Sequence, residues 1–218
     1  MKKELFLRII SSIILIPLSL FFIIKGSIFF NFFIITCFFI TSIEWHMMSK
    51  NKLYYIPGFV FLIFSFISVY TLRNNFNESG LIFFLFVILI CISTDIGGFF
   101  FGKIFKGPKL TKISPNKTYA GMVGGYFLSI FFVIIFFNFN YQFDNYLNTK
   151  ELNISIFIIV LLISTISQLG DIIISYFKRI SKIKNTGKII PGHGGLLDRI
   201  DGMIFAFPFS YIVLSYLY

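Results

Sequence analysis

Charged residues are scarce in this 218-residue sequence, at 13% of the chain against about 25% in an average soluble domain. Hydrophobic residues make up 57%, so the composition excludes an ordinary soluble domain. Cysteine is scarce too, because only Cys37 and Cys91 are present, each inside an apolar run without metal-ligand spacing. We therefore expect neither a disulfide framework nor a cysteine-bound metal.

Long apolar runs take the place of the missing charge. A membrane-spanning helix needs about 20 apolar residues, and backbone groups in lipid must pair internally, which favours helices. We predict an all-α, polytopic integral membrane protein with about seven transmembrane helices: Leu5–Ile24, Ile28–Met48, Leu53–Leu72, Leu81–Gly102, Thr118–Phe139, Ile154–Arg179 and Ile200–Leu217. The first run has the basic start of a signal peptide but no small-residue cleavage site, so we expect an uncleaved helix.

Basic residues outnumber acidic residues by 19 to 9, and the net charge is +10. If the N-terminus is cytoplasmic, only Lys25, Arg73 and Lys150 of the 19 basic residues fall on the other side of the membrane. Lys and Arg concentrate in the cytoplasmic loops of membrane proteins. The distribution therefore predicts a cytoplasmic N-terminus, and it explains the basic balance without nucleic acid as a partner.

The chain is predicted to form a single membrane domain over residues 1–218. Residues 1–80 supply N-terminal helices, and residues 81–218 carry the motifs. Two loops on the basic side, about Lys103–Lys117 and Ser181–Arg199, hold much of the glycine, proline and lysine that the helices leave unexplained. We expect the chemistry of the protein to lie in these loops.

The nine acidic residues further indicate where the functional site lies. An ionised carboxylate at the centre of a membrane helix costs about 2.5–3.5 kcal/mol, so an acidic residue near the membrane needs a reason. Four of them adjoin the two loops: Asp95, Asp171, Asp198 and Asp201. The other five are interpreted as loop or helix-end residues that need no further explanation: Glu4, Glu44, Glu78, Asp144 and Glu151.

The stretch SQLGDIIISYFKRI predicts a polar helical face. Asp171, Ser175 and Lys178 are spaced i, i+4 and i+7, so they lie on one side of a helix whose other sides are apolar. That face must point into the protein interior or into a wet cavity. From this stretch alone, an Asp171–Lys178 ion pair that holds helices together explains the pattern as well as a functional site does.

The stretch PGHGGLLDRIDG predicts a second polar cluster. Asp198 and Asp201 lie three residues apart and can share a helical face. Gly194 and Gly195 let backbone amides approach a ligand closely. His193 is a weak metal-ligand candidate, and without a second nearby histidine or cysteine we do not expect zinc.

This second cluster has the chemistry of a site for a metal-bound polyphosphate. Carboxylates suit a hard cation such as Mg²⁺, and amides at a helix start bind anions. The neighbouring Lys178 and Arg179 add positive charge.

The stretch SPNKTYAGMVGG places hydroxyl groups and a lysine at a turn before a helix. Ser114, Lys117 and Thr118 are candidates for phosphate binding, although Ser114 or Thr118 would also serve as a helix N-cap. The three glycines of this stretch are interpreted as sites of close helix packing. The stretch is not a Walker motif, because G-x-x-x-x-G-K-[ST] is absent.

Three motifs carry a resemblance to a known family. The run from Ser175 to Asp201, with its SYFKR, KN and PGHGGLLDRID elements, resembles the signature of the phosphatidate cytidylyltransferases. Ser114–Gly125 and Thr94–Lys103 (TDIGGFFFGK) resemble two further motifs of that family, in the same order. The chain departs from the family pattern at Asn185, where aspartate is usual, and at Ile174, where an acidic residue is usual.

The resemblance implies an integral enzyme of the bacterial cytoplasmic membrane, with its active site at the cytoplasmic face. Such an enzyme joins CTP and phosphatidic acid to give CDP-diacylglycerol and pyrophosphate, depends on Mg²⁺ and forms a homodimer among membrane lipids. Two alternatives remain open at this point. One is a CTP-dependent enzyme acting on an isoprenoid or ether lipid, and the other is an ion-coupled transporter.

We assign hypothetical roles within this scheme. Asp171 and Asp198 are the expected metal ligands, and Asp95 and Asp201 are expected to orient metals or cations. The catalytic candidates also include His193, and Lys178, Arg179 and Arg199, which are expected to neutralise phosphates of the two substrates. The substrate-binding candidates are Asp95, Ser114, Lys117, Thr118, Ser175, and Gly194 and Gly195, whose amides are expected to hold the leaving pyrophosphate.

Overall fold

The computed structural model describes residues 2–75, 79–139 and 154–217. Its helices are α1 (Lys2–Lys25), α2 (Ser27–Ser49), α3 (Tyr55–Asn74), α4 (Gly80–Phe105), α5 (Tyr119–Phe139), α6 (Ile154–Ile180), α7 (Leu197–Ile200) and α8 (Met203–Leu217). Within the described ranges no strand forms, only two isolated bridges in loops. The all-α prediction is confirmed. Four charged residues discussed above lie outside the described residues: Glu78, Asp144, Lys150 and Glu151.

Six of these helices, α1 to α6, are long and apolar enough to cross a membrane. They match the first six predicted spans to within a few residues. The seventh span was predicted from Ile200, but α8 begins at Met203 and has 15 residues. At about 1.5 Å per residue it is roughly 22 Å long, shorter than a hydrocarbon core of about 30 Å. The count of seven is therefore not confirmed, because Asp201 and Gly202 form a turn where the span was expected to begin.

Large apolar side chains cover the outside of the first three helices. Ile28 is 73% exposed, Phe32 64% and Ile56 69%. Water would solvate such a surface poorly, whereas lipid tails solvate it well. The chain is an integral membrane protein on this pattern of exposure and on the length of its helices.

Helices α4 and α5 pack with their backbones close together. A Cβ atom on Gly97 would collide with the carbonyl group of Gly124, and one on Gly121 would come within 2.6 Å of the Gly98 carbonyl oxygen. Small residues allow this approach in membrane helices. The interpretation of the α5 glycines as packing residues is confirmed, and the close pair aligns the motif at the end of α4 with the motif at the start of α5.

The polar motifs gather at one end of the helix bundle. The segment between α6 and α7, residues 181–196, is called the glycine loop below. Arg8 of α1 and Tyr54, just before α3, hydrogen-bond to it, and Glu44 of α2 does the same. The ends of α4 and α6 and the start of α5 lie at this same end, so the loops that were predicted to share one membrane face do share one end of the molecule.

Candidate functional site

The polar face of α6 forms as predicted, but its charges pair differently. The Ser175 hydroxyl donates to Asp171 Oδ1 at 3.3 Å. Asp171 Oδ2 forms an ion pair with Lys117 Nζ, at the start of α5. Lys178 pairs with Asp198 instead, at 2.9 Å. The alternative of an Asp171–Lys178 ion pair is therefore wrong, and α6 connects both motif-bearing loops.

A cleft of about 310 Å³ opens beside the Asp171–Lys117 pair. It lies between α4, α5, α6 and the loop before α5. Its polar lining residues are Thr94, Asp95, Ser114, Asn116, Lys117, Thr118, Gln168 and Asp171. Five of these were predicted as site residues, whereas Thr94, Asn116 and Gln168 were not. All three lie inside stretches quoted above, TDIGGFFFGK, SPNKTYAGMVGG and SQLGDIIISYFKRI. Amide and hydroxyl side chains carry little signal in a single sequence, so the fold was needed to show that these particular side chains face the cleft.

Backbone hydrogen bonds shape the loop that supplies one wall of the cleft. Leu110 N donates to Lys117 O at 2.8 Å, and Lys117 N donates to Ser114 O at 3.0 Å. The Thr118 hydroxyl accepts a hydrogen bond from Gly121 N at 3.1 Å, which is the N-cap interaction proposed for it. Thr118 therefore caps α5 and also lines the cleft.

A second polar centre surrounds Asp198 at the start of α7. Its Oδ1 is bound to Lys178, and its Oδ2 accepts hydrogen bonds from Thr186 N at 2.8 Å and from Gly195 N at 3.1 Å. The Asp198 side chain is only 7% exposed. Two amides thus fix the orientation of this carboxylate, and the Lys178 ammonium group balances its charge.

Glu44 of α2 is a residue that the sequence interpretation set aside wrongly. Its side chain is completely buried, and it accepts hydrogen bonds from the Thr186 hydroxyl, Leu196 N and Leu197 N at 2.8–2.9 Å. A signal for it existed, because Glu44 lies inside the predicted span Ile28–Met48. An acidic residue within a span indicates a functional partner.

The backbone amides of residues 193–196 in the glycine loop are already paired within the protein. His193 N and Gly194 N both donate to Ile190 O, at 3.0 and 3.2 Å, and Gly195 N donates to Asp198. The prediction that the amides of Gly194 and Gly195 hold the leaving pyrophosphate does not match this arrangement. The loop uses its amides to hold itself and Asp198 in place.

His193 faces α1. Its Nδ1 lies 2.9 Å from the Ser11 hydroxyl. Burial, together with the positive charges of Arg199 and Arg8, lowers the pKa of His193 below its ordinary value. The Ser12 hydroxyl lies 3.5 Å from the other ring nitrogen, Nε2. The neutral His193 ring therefore links α1 to the glycine loop.

Two of the predicted phosphate-binding cations lie on the surface. Arg199 is exposed and donates through Nε and Nη2 to His193 O, at 3.2 and 2.6 Å. Arg179 is exposed and forms no ion pair with any described residue. Both guanidinium groups can therefore reach an anion that arrives at this end of the molecule.

Asp201 links the two polar centres electrostatically. Burial, followed by the negative charges of Asp171 and Asp95, raises the pKa of Asp201 well above its usual range, while Lys178 and the Gly202 amide oppose the rise. Three carboxylates thus share one region with Lys117 and Lys178.

The described residues contain no group of three or more His, Cys, Asp or Glu side chains that could hold a metal ion by themselves. The donor set still fits Mg²⁺, which uses one or two carboxylates together with substrate phosphates and water. Asp171 and Asp198 each bind a lysine ammonium group through one oxygen. A divalent ion bound there would have to displace those lysines.

Comparisons with known proteins agree with these motifs. A sequence model described as the cytidylyltransferase family matches residues 58–217. A phosphatidate cytidylyltransferase of Rickettsia felis is 35% identical over 215 residues, covering 97% of this chain and 93% of that protein. Another, of Staphylococcus saprophyticus, is 32% identical over 178 residues, covering 79% of this chain and 65% of that protein.

Proposed function

The chain belongs to the cytidylyltransferase family, and from this we propose that it transfers the cytidylyl group of CTP to phosphatidic acid. The products are CDP-diacylglycerol and pyrophosphate. The single observation that carries this proposal is that two ion pairs gather at one end of the bundle: Lys117 with Asp171, which line the cleft, and Lys178 with Asp198. The pairs combine cations and carboxylates from two distant motifs.

In this reaction an oxygen of the phosphatidate phosphate attacks the α-phosphorus of CTP. The bond from that phosphorus to the bridging oxygen breaks, and pyrophosphate leaves with the electron pair. Both reactants are anions, so the protein must mainly position them and neutralise their charge. We assign Lys117, Ser114 and Thr118 to the CTP phosphates, because these residues line one wall of the cleft.

The exposed cations are assigned to the lipid phosphate and to the leaving group. Arg179 and Arg199 lie at the surface, where a phosphate headgroup arrives from the membrane plane. Lys178 adds a third positive charge, once an incoming phosphate competes with Asp198 for its ammonium group. Asp95 and Asp201 orient these cations.

We assign Mg²⁺ as the cofactor, with Asp171 and Asp198 as its protein ligands. When bound, Mg²⁺ would neutralise charge on the attacking and leaving oxygens. The chain's own part is to hold the two carboxylates in fixed orientations, through Ser175 for Asp171 and through two loop amides for Asp198.

We place this site at the cytoplasmic face of the bacterial inner membrane. The support is that the basic residues predicted to be cytoplasmic lie at the same end of the bundle as the cleft, which agrees with the positive-inside rule. We also propose a homodimer, on the family resemblance alone. Native mass spectrometry of the protein in detergent tests that state, and a monomer would contradict it.

One assay tests the proposed reaction. Purified protein is incubated with CTP, Mg²⁺ and phosphatidate in mixed micelles, and pyrophosphate release is measured. We expect release only when all three are present, with matching formation of CDP-diacylglycerol. Release with an isoprenoid phosphate or an ether lipid but not with phosphatidate would instead support the other lipid substrates. Ion flux in liposomes without CTP consumption would support a transporter.

A further inference from the structure

Glu44 is a buried carboxylate in a transmembrane helix, and its observed hydrogen-bond partners all come from the glycine loop and the start of α7. It lies on α2 and is 0% exposed. Glu44 is the acceptor in each of its observed hydrogen bonds. The donors are the Thr186 hydroxyl at 2.9 Å, Leu196 N at 2.9 Å and Leu197 N at 2.8 Å. An ionised carboxylate is an acceptor only, so this set of donors matches its chemistry.

The glycine loop is built around this carboxylate. A Cβ atom on Gly187 would lie 2.5 Å from Glu44 Oε1, and one on Gly195 would lie 2.5 Å from Glu44 Oε2. Real side chains cannot approach that closely, so glycine is required at both positions if Glu44 is to reach the loop backbone. Two glycines of the loop therefore have a structural reason that is separate from ligand binding.

The same loop segments also hold Asp198. Thr186 donates its hydroxyl to Glu44 and its backbone N–H to Asp198 Oδ2. On the other side of the loop, Gly195 N donates to Asp198, and the next two amides, of Leu196 and Leu197, donate to Glu44. Thr186 on one side of the loop and residues 195–197 on the other therefore each hydrogen-bond to both carboxylates.

We propose that Glu44 is a positioning residue, which fixes the two backbone amides that orient the Asp198 carboxylate. It acts through Thr186 and the 195–197 backbone, and it does not touch a substrate. That Asp198 takes part in catalysis rests on the proposed function. The connection between Glu44 and the loop rests on the hydrogen bonds alone.

The charge of Glu44 matters as well as its shape. Glu44→Gln keeps the length of the side chain but replaces one acceptor oxygen with an NH₂ donor. That group then faces Leu196 N on one side, or Thr186 and Leu197 on the other, and a donor opposite a donor leaves a buried polar group unsatisfied. We therefore expect the loop to loosen in this variant.

The first test measures the loop directly. Amide hydrogen exchange of the full chain in detergent is compared between wild type and Glu44→Gln, without CTP or Mg²⁺. We expect faster exchange in residues 186–197 and unchanged exchange in α4 and α5. Equal exchange in residues 186–197 would overturn the proposal. This measurement tests the role of Glu44 even if the protein has no cytidylyltransferase activity. In that case the proposed function would be wrong, while the role of Glu44 in holding the loop would still stand.

The second test measures the consequence for Asp198. Residues that orient metal ligands typically change metal affinity or activity by about 10- to 100-fold when replaced. We expect Glu44→Gln to lower kcat by that amount and to raise the Mg²⁺ concentration for half-maximal activity. Thr186→Val keeps the backbone N–H but removes the hydroxyl, so it should also lower kcat and raise the required Mg²⁺ concentration. Thr186→Ser keeps the hydroxyl, so both quantities should stay near their wild-type values.

The matched control is Thr41→Val, on the same helix one turn earlier. Thr41 is also 0% exposed, and among the residues that the structure describes its hydroxyl bonds only to the carbonyl groups of Cys37 and Phe38 within α2. We expect this variant to lower the melting temperature without changing the Mg²⁺ dependence. If Thr41→Val and Glu44→Gln lose activity in the same proportion to their loss of melting temperature, Glu44 serves stability alone and the proposal is wrong.

Discussion

Lys178 Nζ lies 2.9 Å from Asp198 Oδ1, while the other oxygen of Asp198 accepts two backbone amides. The two oxygens of this carboxylate therefore have different partners. The backbone fixes one oxygen, and the Lys178 ammonium group pairs with the other, where the proposed metal ion or substrate phosphate would displace it. A carboxylate arranged in this way is oriented before its ligand arrives.

Replacement of this carboxylate tests its role most directly. Asp198→Asn keeps the shape but removes the charge, and its NH₂ group must face either Lys178 or the two loop amides, which are all donors. We expect turnover to fall by about 100-fold or more, while the protein still inserts into the membrane. Activity in detergent and membrane fractionation measure the two quantities, and near-normal turnover would contradict the assignment of Asp198 as a metal ligand.

Lys117→Met tests the cleft. This change removes the cation that pairs with Asp171. We expect the KM for CTP to rise by roughly 10- to 150-fold, since a hydrogen bond to a charged group contributes about 1.5–3 kcal/mol and about 1.4 kcal/mol is tenfold. Lys112→Met provides the control, because Lys112 is an exposed residue on the same loop outside the cleft lining. Equal effects of the two variants on KM would show that only general positive charge matters.

The lowered pKa of His193 predicts a pH dependence of stability. Burial and the nearby arginines keep its folded pKa below the ordinary value of 6.5, so the unfolded chain binds the proton more readily. The stability contributed by neutral His193 is present above about pH 6.5 and is lost as pH falls through the folded pKa. We expect the melting temperature of His193→Gln to vary less over this range than that of wild type.

Asn185→Asp restores the residue that is usual in the family signature. Asn185 is exposed, so a new negative charge is not desolvated. Lys184 and Lys188, close by in sequence, offset the nearby Asp198 carboxylate, which lies on the other side of Gly194. We expect turnover within about threefold of wild type, in line with the small effects of surface substitutions. A large loss in the pyrophosphate assay would show that the loop has been rebuilt around the amide.

Gly195→Ala should destabilise the protein. The new methyl group would collide with the Thr186 hydroxyl and with Glu44, and overpacking of this kind costs about 1–3 kcal/mol. Gly98→Ala is a steric control, because its Cβ atom would meet nothing closer than 3.8 Å. Thermal unfolding in detergent compares the two, and an equal melting temperature for Gly195→Ala and wild type would mean that the loop has room for the methyl group.

The motifs were found from the sequence because their chemistry is local. Asp171 and Ser175 share a helical face by spacing alone, and their hydrogen bond confirms it. Thr118 and the α5 glycines were recognised by the same kind of local reasoning. Glu44 was missed because its partners, Thr186 and the amides of Leu196 and Leu197, lie far from it in the chain, and no spacing rule connects them.

The amino-acid sequence is enough to establish an all-α membrane protein with its polar motifs at one end. Helix formation in lipid depends on the length of each apolar run and on internal backbone pairing, which are properties of contiguous residues. The packing of the helices sets the partners of the charged groups: Lys117 for Asp171, Lys178 for Asp198, and the glycine loop for Glu44. Ion pairs and buried hydrogen bonds need atoms within about 3 Å of one another, and only the packing of the helices sets those distances.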